Sequence, residues 1–584
     1  MEDSGIRKLI QISKWHDSEL AVLQVNDVSR SYPQCSTIDD RNARINRIVY
    51  GLLKEKQRYV FDKIHSVLGN PAIYPALELT TIGGFLQTIG QRLRTTSRDI
   101  GTMAMLLDAP SGTGKTWLLM SLLITMHRND VVFLVYQRNL RLIAESIRGI
   151  RAYTCMKYLM ELLCMEFSEA KNYFVEDIAC LSIFQKIIRT KIKYSCKLII
   201  LDEYTVVSPW YVLWVYWIAK QNGACVLYCG DRYALNSMNR SRFHNESNYT
   251  IVEALSGPKF FDMDQLRIQD ENYENKVNQF KVILERSNDD LDMTLEIKNE
   301  LYRIFEDYFS VNTDMTATYL AEKHEDLYRR AYDICEYYEN NSTGCYKSPY
   351  YSEDEYDDDM REISIELLKQ HNLREQFLEF LPLIEGYTYY YITPEGNRCL
   401  VKYIGRSGKE ILVEDVENGL SMNLGLEKIT SDYCVSEEFN WLKDNCEGVP
   451  YQYPLRLRLR TYHSLQGHTT EDKNKVELNI DVKRSNCVYV GLSHIRRESQ
   501  LGRLHTNDLF NIRSHCNSEL CTPVEEPSQP KSLLVKLAMY LRNVSCSRLE
   551  ELVEEPAETE RLRNDINDYL SNVGETPLDI EDVA

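Results

Sequence analysis

The sequence predicts an α/β fold, and three observations carry that expectation. An apolar run ending in Leu106 and Leu107 meets a loop of small residues and then a helical pattern from Lys115 to Leu119. Short β-branched or apolar runs at Val131–Tyr136, Leu198–Leu201 and Ala224–Cys229 alternate with helical patterns, which is how a parallel sheet with covering helices reads. From Tyr387 to Ile429 the pattern changes to short alternating runs, YTYYYI, CLVKYI and EILVEDV, separated by PEGN and GRSG turns, so a small β module is expected to interrupt the α/β pattern.

At 584 residues the chain is too long for one core. The usual domain size of roughly 100–200 residues suggests about three or four domains. The division read along the chain is a 1–50 extension, an α/β domain over 51–262, and the first part of a second over 263–335. An acidic, Tyr-rich insertion follows over 336–365, then the β module over 366–449, the completion of the second domain over 450–515, and an acidic tail over 516–584. Residues 336–360 hold many Tyr, Asp and Glu and few aliphatics, so they are expected to bury little surface and to be mobile. The tail, with one or two amphipathic helices from Lys531 onward, reads as a partner-binding appendix.

Hydrophobic content of 43% and charged content of 27% are those of a soluble globular protein. The first thirty residues lack the basic-then-apolar layout of an export signal, and sixteen cysteines show no repeated spacing, so free thiols in a reducing, intracellular compartment are expected. The longest uncharged apolar run, Tyr204–Ala219, is shorter than the roughly 20 residues of a membrane span and is expected to be a buried helix. A net charge of −19 argues against blanket affinity for nucleic acid, although one basic channel would suffice to bind it.

The stretch from Ala109 to Thr116, APSGTGKT, has the spacing of a Walker A loop with Ala in the first place. Ala109, Pro110, Ser111, Gly112, Thr113 and Gly114 form the cradle, in which the glycines let backbone N–H groups curl around phosphate oxygens. Lys115 reaches the β and γ phosphates, the Thr116 hydroxyl is a Mg²⁺ ligand, and the helix starting there points its positive end at the anion. The strand Leu198–Leu201 ends in Asp202 and Glu203, a Walker B pattern in which Asp202 holds Mg²⁺ and Glu203 polarises the attacking water. A further strand ends in Gly230 and Asp231, and strands ending in acids beside such a loop outline a RecA-like core. ATP with Mg²⁺ is the cofactor this set implies.

Other candidates are single residues. Gln57, on a helix some fifty residues ahead of the loop, carries an amide that can read an adenine edge. Arg267, just ahead of the helical pattern Tyr273, Val277, Phe280 and Leu284, is a candidate for stabilising charge on the γ-phosphate. Leu455–Arg460 alternates Leu with Arg456, Arg458 and Arg460, predicting a strand with one apolar and one basic face, and the basic face would meet phosphates. The segment NCVYVGLSH reads as a strand.

Taken in order, these segments resemble the superfamily 1 helicases, and within them the PIF/RecD-like DNA helicases. LLKEKQRYVFDKI is similar to that family's Q motif, APSGTGKT to motif I, LIILDEYTVVS to II, YCGDRYAL to III, LRIQDENY to IV, TYHSLQGHT to V and YVGLSHIRR to VI. The resemblance covers roughly residues 51–510. It implies two RecA-like P-loop NTPase domains sharing an ATP cleft, an SH3-like β insert in the second, and single-stranded or forked DNA across both. It also implies 5′ to 3′ translocation in replication, recombination or repair, with other replication proteins as the expected partners of the C-terminal tail. Asp231 and Gly467 would then belong to the nucleotide site, and Thr461, His463 and Gln466 to the DNA site. The divergence of the blocks and the Tyr-rich insertion resemble helicases of large DNA viruses, which would place the chain in a host nucleus.

Three departures bear on activity. Ala234 stands where the family has the motif III Gln, His494 where motif VI has Arg after Ser, and Ser464 and Leu465 where motif V has Lys-Ser. A neutral imidazole lacks the permanent charge that phosphoryl transfer needs. With a helix entered at Ser493, Arg497 would share the face of His494 and replace it. The competing expectation is a degenerate, helicase-like ATP-binding scaffold in a viral replication complex.

Overall fold

The computed structural model describes, apart from short interruptions, residues 45–68, 104–136, 150–164, 196–235, 247–286, 292–362, 380–428, 451–465, 475–515 and 532–544, with scattered positions besides. Gln466, Gly467 and most of the extension over 1–50 lie outside the described residues, as do most of 140–149 and 165–195. Two compact units are present, residues 1–267 with 523–584, and residues 268–522. Both contain a parallel sheet, so the α/β expectation holds.

In the first unit, helix α1 (Glu55–Val67) precedes β1 (Ala104–Asp108), α2 (Lys115–Thr125), β2 (Val131–Val135), β3 (Arg151–Thr154) and α3 (Cys155–Leu163). Then come β4 (Leu198–Asp202), α4 (Pro209–Gln221), β5 (Cys225–Gly230), α5 (Asn248–Leu255) and β6 (Ser256–Phe260). The sheet runs β3-β2-β4-β5-β1-β6, every pair parallel. β1, β2 and β4 are buried along their whole length, which is why they read as continuous apolar runs and not as alternation. The strand expected from Ala224 is β5, and its placement between β4 and β1 brings the ends of three strands beside the loop after β1.

The apolar run expected as a buried helix is α4, opened by Pro209 at its first turn and buried from Pro209 to Lys220. Lys220 is buried too, because its Nζ donates to the carbonyls of Leu541 (2.6 Å), Val544 (2.6 Å) and Arg542 (3.2 Å). Those carbonyls close helix α12 (Leu533–Asn543), where a cation is favoured by the unsatisfied C-terminal C=O groups. Leu534, Val535, Leu537, Ala538, Tyr540 and Leu541 of α12 lie in the same core as the tryptophans of α4. For this helix the expectation of a partner-binding appendix does not hold, and most of the remaining tail lies outside the described residues. The amphipathic pattern is real, but its apolar face is covered by the chain itself, and at about 1.5–3 kcal/mol per side chain the burial is on the order of 10 kcal/mol.

The second unit holds α6 (Glu271–Arg286), α7 (Leu295–Phe305), β7 (Thr318–Ala321), α8 (His324–Asn340), β8 (Cys345–Ser348), β9 (Tyr351–Asp354) and β10 (Asp357–Glu362). β11 (Leu381–Ile384), β12 (Thr388–Ile392), β13 (Arg398–Ser407), β14 (Glu410–Asp415), β15 (Ser421–Leu424), β16 (Glu427–Lys428), β17 (Tyr451–Gln452), β18 (Leu455–Arg456) and β19 (Leu459–Thr461) follow. α9 (Tyr462–Leu465), β20 (Val476–Asn479), α10 (Ser485–Ser493), β21 (Leu501–His505) and α11 (Leu509–His515) complete it. A parallel sheet runs β19-β7-β20-β21, and the expected β module is an antiparallel sheet in the order β15-β14-β13-β12-β18. α6 buries Tyr273, Val277, Phe280 and Leu284, the four positions its periodicity marks.

Two expectations are corrected here, and a third holds in part. The acidic, Tyr-rich stretch carries the end of α8 and strands β8, β9 and β10, with β8 paired to β11 and β9 to β17, while Ser348 is the only buried residue among those described between 336 and 351, so the stretch buries little surface as expected. NCVYVGLSH is the helix α10, buried from Ser485 to Ser493; burial on all sides produces an apolar run that periodicity alone cannot tell from a strand. The arginine strand is broken into β18 and β19, as described with the site below.

Candidate nucleotide site

The loop between β1 and α2 is shaped by two left-handed glycines, Gly112 at φ 85° and Gly114 at φ 79°. A side chain at either would also collide with its surroundings. A Cβ on Gly112 would lie 2.5 Å from both the Arg267 Cβ and the Gln265 Oε1, and one on Gly114 would lie 2.5 Å from the Gln57 Nε2. The N-terminal N–H groups of α2 and its dipole therefore open onto the loop, a ready anion site.

The segment Gln265–Arg267 clamps the loop from the other side. The N–H groups of Leu266 and Arg267 both donate to the Gly112 carbonyl at 3.0 Å, Gln265 Nε2 donates to the Ser111 carbonyl at 3.0 Å, and Arg267 Nη1 donates to Ser111 Oγ at 2.9 Å. The structure thus places Arg267 on the loop itself. Gln57 is buried, and its Nε2 donates to the carbonyls of Thr113 (3.4 Å) and Gly114 (3.3 Å) while its Oε1 accepts from the Lys54 N–H (3.0 Å). Its amide supports the loop backbone, a different task from the adenine reading expected of it. Lys115 Nζ donates to the carbonyls of Ala109 (2.7 Å) and Pro110 (3.1 Å), and Thr113 Oγ1 to that of Pro110 (2.9 Å).

Three carboxylates, Asp202, Glu203 and Asp108, feel the charge of Lys115. Asp202 ends β4 and is buried, and its Oδ1 accepts the Glu203 N–H at 3.1 Å. Burial first, and then the Glu203 charge, push its pKa up to about 7, against the pull of the Lys115 ammonium. Glu203 is raised by burial as well, with Lys115 opposing and Asp231 adding. Its φ of 55° is left-handed for a non-glycine residue, a conformation that costs on the order of 1 kcal/mol and concentrates at functional sites. Asp231 accepts from the Ser111 N–H (2.9 Å) and the Tyr233 N–H (3.1 Å), so it ties the end of β5 to the loop.

Sequence reasoning missed Asp108, the last residue of β1. Its carboxylate accepts from the Arg232 N–H (2.8 Å) and Tyr204 OH (3.2 Å), and meets Arg232 Nε at 3.2 Å. Burial, then Asp231, raise its pKa to about 6. An acid closing an otherwise apolar strand was the available signal. Arg232 in turn lies over the rings of Tyr249, Tyr233 and Phe261, at 4.8, 5.2 and 5.5 Å from the centroids.

A buried cluster with more carboxylates than cations favours an added cation, and the hard oxygens of Asp202 and Thr116 are a donor set suited to Mg²⁺. The glycine cradle and the α2 N-terminus fit the phosphates of a nucleotide in the same way.

In the second unit the sequence candidates fare unequally. Arg458 and Arg460 are buried, their guanidinium groups each 5.9 Å from a ring centroid, Tyr387 and Tyr390 respectively, and Arg460 also donates to the Ser464 carbonyl. They pack against the tyrosines of the β module, so the expectation of a basic face toward phosphates fails for both. Arg456 is half-buried, with Nη1 donating to its own neighbour's carbonyl, that of Leu455, at 3.3 Å. Thr461 is buried and accepts from the Ser464 N–H at 3.2 Å, whereas His463 is half-buried, its pKa lowered by burial and by His324.

Motif VI departs from expectation. α10 ends at Ser493, so Arg497 does not share a helical face with His494. Arg497 is exposed and its Nε donates to Gln269 Oε1 at 2.9 Å. His494 is buried with Nδ1 2.7 Å from the Val490 carbonyl, and Arg496 is buried beside it in sequence.

No protein-family model matches the chain, and no curated protein does. Solved structures of Pif1 helicases do resemble it. One, of two coordinating Pif1 helicases at forked double-stranded DNA, is 13% identical with a TM-score of 0.41, covering 80% of this chain and 97% of that one. Pif1 of Bacteroides sp. with ADP-AlF4 is 12% identical with a TM-score of 0.41 and covers the same shares. Pif1 of Bacteroides with ADP-AlF3 and single-stranded DNA is 14% identical with a TM-score of 0.38, covering 76% of this chain and 98% of that one.

Proposed function

We propose that this chain is an ATP-dependent DNA helicase or translocase, moving 5′ to 3′ on single-stranded or forked DNA in replication, recombination or repair. The observation that supports it most is the convergence of the loop, Lys115 and the Asp202–Glu203 pair at the ends of β1 and β4, the two parallel strands that flank β5. The ordered blocks from Gln57 to Arg497 supply the DNA-motor part of the reading, with the β module as the family's SH3-like insert.

The residues divide the work. Lys115 exchanges two neutral carbonyl acceptors for phosphate oxygens, a stronger charge-assisted pairing. Glu203, its pKa raised by burial, is the carboxylate suited to take a proton from water. Thr116 and Asp202 would hold Mg²⁺, which supplies charge neutralisation on the transferred phosphoryl group. Gln57, Gln265 and Arg267 keep the loop in its left-handed turns. Of the two motif VI arginines, Arg496 is the better substitute for the permanent charge that His494 lacks, since a buried guanidinium acts in a lower dielectric than the exposed Arg497.

One observation favours a second reading. His494 is tied to the Val490 carbonyl, and Ala234 offers no amide, so two family contacts to the γ-phosphate are missing. On that reading the chain is an ATP-binding scaffold of a replication complex, of a large DNA virus if the family likeness extends to source. Steady-state ATP hydrolysis measured with and without single-stranded DNA separates them. Stimulation by DNA is expected, and tight ATP binding with no hydrolysis in either condition would establish the scaffold.

A further inference from the structure

α8 ends at Asn340 and β8 begins at Cys345, and their facing sides meet at two places. Cys335 on α8 and Cys345 on β8 share a thiol–thiol hydrogen bond. One helical turn further, Glu339 pairs with Lys347, two residues along the strand, at 2.8 Å. A helix repeats its face at four residues and a strand at two, so the second contact fixes the first in register. Cys335 is 3% exposed, whereas Cys345 is half-buried, next to the core formed by Ala331, Ile334 and the β module. β8 carries that register into β11, where Cys345 lies opposite Ile384.

We propose that Cys335 and Cys345 form a reversible disulfide, made by exchange with a low-molecular-weight disulfide such as oxidised glutathione. The reachable thiol, Cys345, attacks as thiolate, forms a mixed disulfide and releases one glutathione thiolate. The Cys335 sulfur then attacks the Cys345 sulfur, its proton passing to the second glutathione as that leaves. Two thiols are oxidised to one disulfide while one glutathione disulfide is reduced to two thiols. Cys345 suits the attacking role because the hydrogen bond from Cys335 stabilises its thiolate and, with the Lys347 charge adding, outweighs burial and the Glu339 charge. The product staples α8, which packs on β7 and β19, to the strand that enters the antiparallel module. This inference is independent of the hydrolase reading.

The test uses the full chain incubated with oxidised glutathione, followed by alkylation of free thiols, digestion and mass spectrometry. Wild type is expected to yield a Cys335–Cys345 cross-link that dithiothreitol reverses. Cys335→Ser is expected to accumulate glutathione on Cys345, and Cys345→Ser to leave Cys335 unmodified. A wild-type protein that keeps glutathione on Cys345 without closing, or that alkylates at both positions after the exposed Cys164 has reacted, overturns the proposal.

Discussion

Replacing Asp108 with Asn should remove about 1.4 kcal/mol of the pH dependence of stability between pH 5 and pH 8. The carboxyl is raised from an ordinary value of 3.8 to about 6, burial and Asp231 together outweighing Arg232, the Arg232 N–H and Lys115. The folded state thus binds this proton more tightly than the unfolded chain does. The group's penalty is absent below its unfolded pKa, grows as pH rises, and is complete above the folded value. Its full size, from the rise between 3.8 and about 6 at 1.36 kcal/mol per pH unit, is about 3 kcal/mol, of which about 1.6 has developed by pH 5. Asn cannot ionise, so its stability lacks this slope. Its amide will face Arg232 Nε donor to donor, but that mismatch is the same at both pH values and cancels in the difference. Denaturant unfolding of wild type and variant without nucleotide, at pH 5, 6, 7 and 8, reads the quantity directly. Parallel stability curves would refute the argument, because they would mean that Asp108 ionises in its buried setting at no cost.

Lys115→Ala should abolish ATP hydrolysis and leave the circular dichroism spectrum unchanged, because its ammonium touches loop carbonyls and not the apolar core; an unchanged rate would remove the loop assignment. Glu203→Gln should retain nucleotide affinity in equilibrium titration while turnover stalls, since an amide takes up no proton. Arg496→Ala should lower hydrolysis on the order of 10³-fold, the range of arginine fingers, and Arg497→Ala only slightly, so the reverse order in steady-state rates would return the role to the exposed side chain. Truncation before Ser532 should expose the α4 face and leave the first unit prone to unfolding by limited proteolysis, in contrast to removal of a free tail.

What the sequence made legible, it made legible through chemistry that admits few alternatives. Gly112 and Gly114 are glycines because the loop is left-handed at both and has no room for a Cβ, so the Walker spacing led directly to the loop and to Lys115. Asp202 and Glu203 were found because an apolar strand that stops on acids is conspicuous. The α6 positions were found because an amphipathic helix with one buried face has a period. Failure came where burial was complete or where a distant segment decided the environment. α10 is apolar all round and so carried no period to distinguish it from a strand.

Arg458 and Arg460 show the second kind of failure most clearly. Alternation with leucines says that they occupy the opposite face of an extended segment, but it does not say what covers that face. What covers it is Tyr387 and Tyr390, roughly seventy residues earlier, whose rings accept the two guanidinium groups. A ring face repays part of a cation's desolvation, which helps an arginine to be buried there. The same logic applies to Asp108 and Arg232, which pair across more than a hundred residues because β1 and β5 are neighbours in the sheet although three strands separate them in sequence. Local pattern therefore fixes which residues can do phosphate chemistry, while sheet order decides which charged side chains remain available for it. Any basic path for DNA on the second unit has to be built from residues other than Arg458 and Arg460, and loss of binding on mutating those two would report unfolding of the β module's contact and not a lost phosphate.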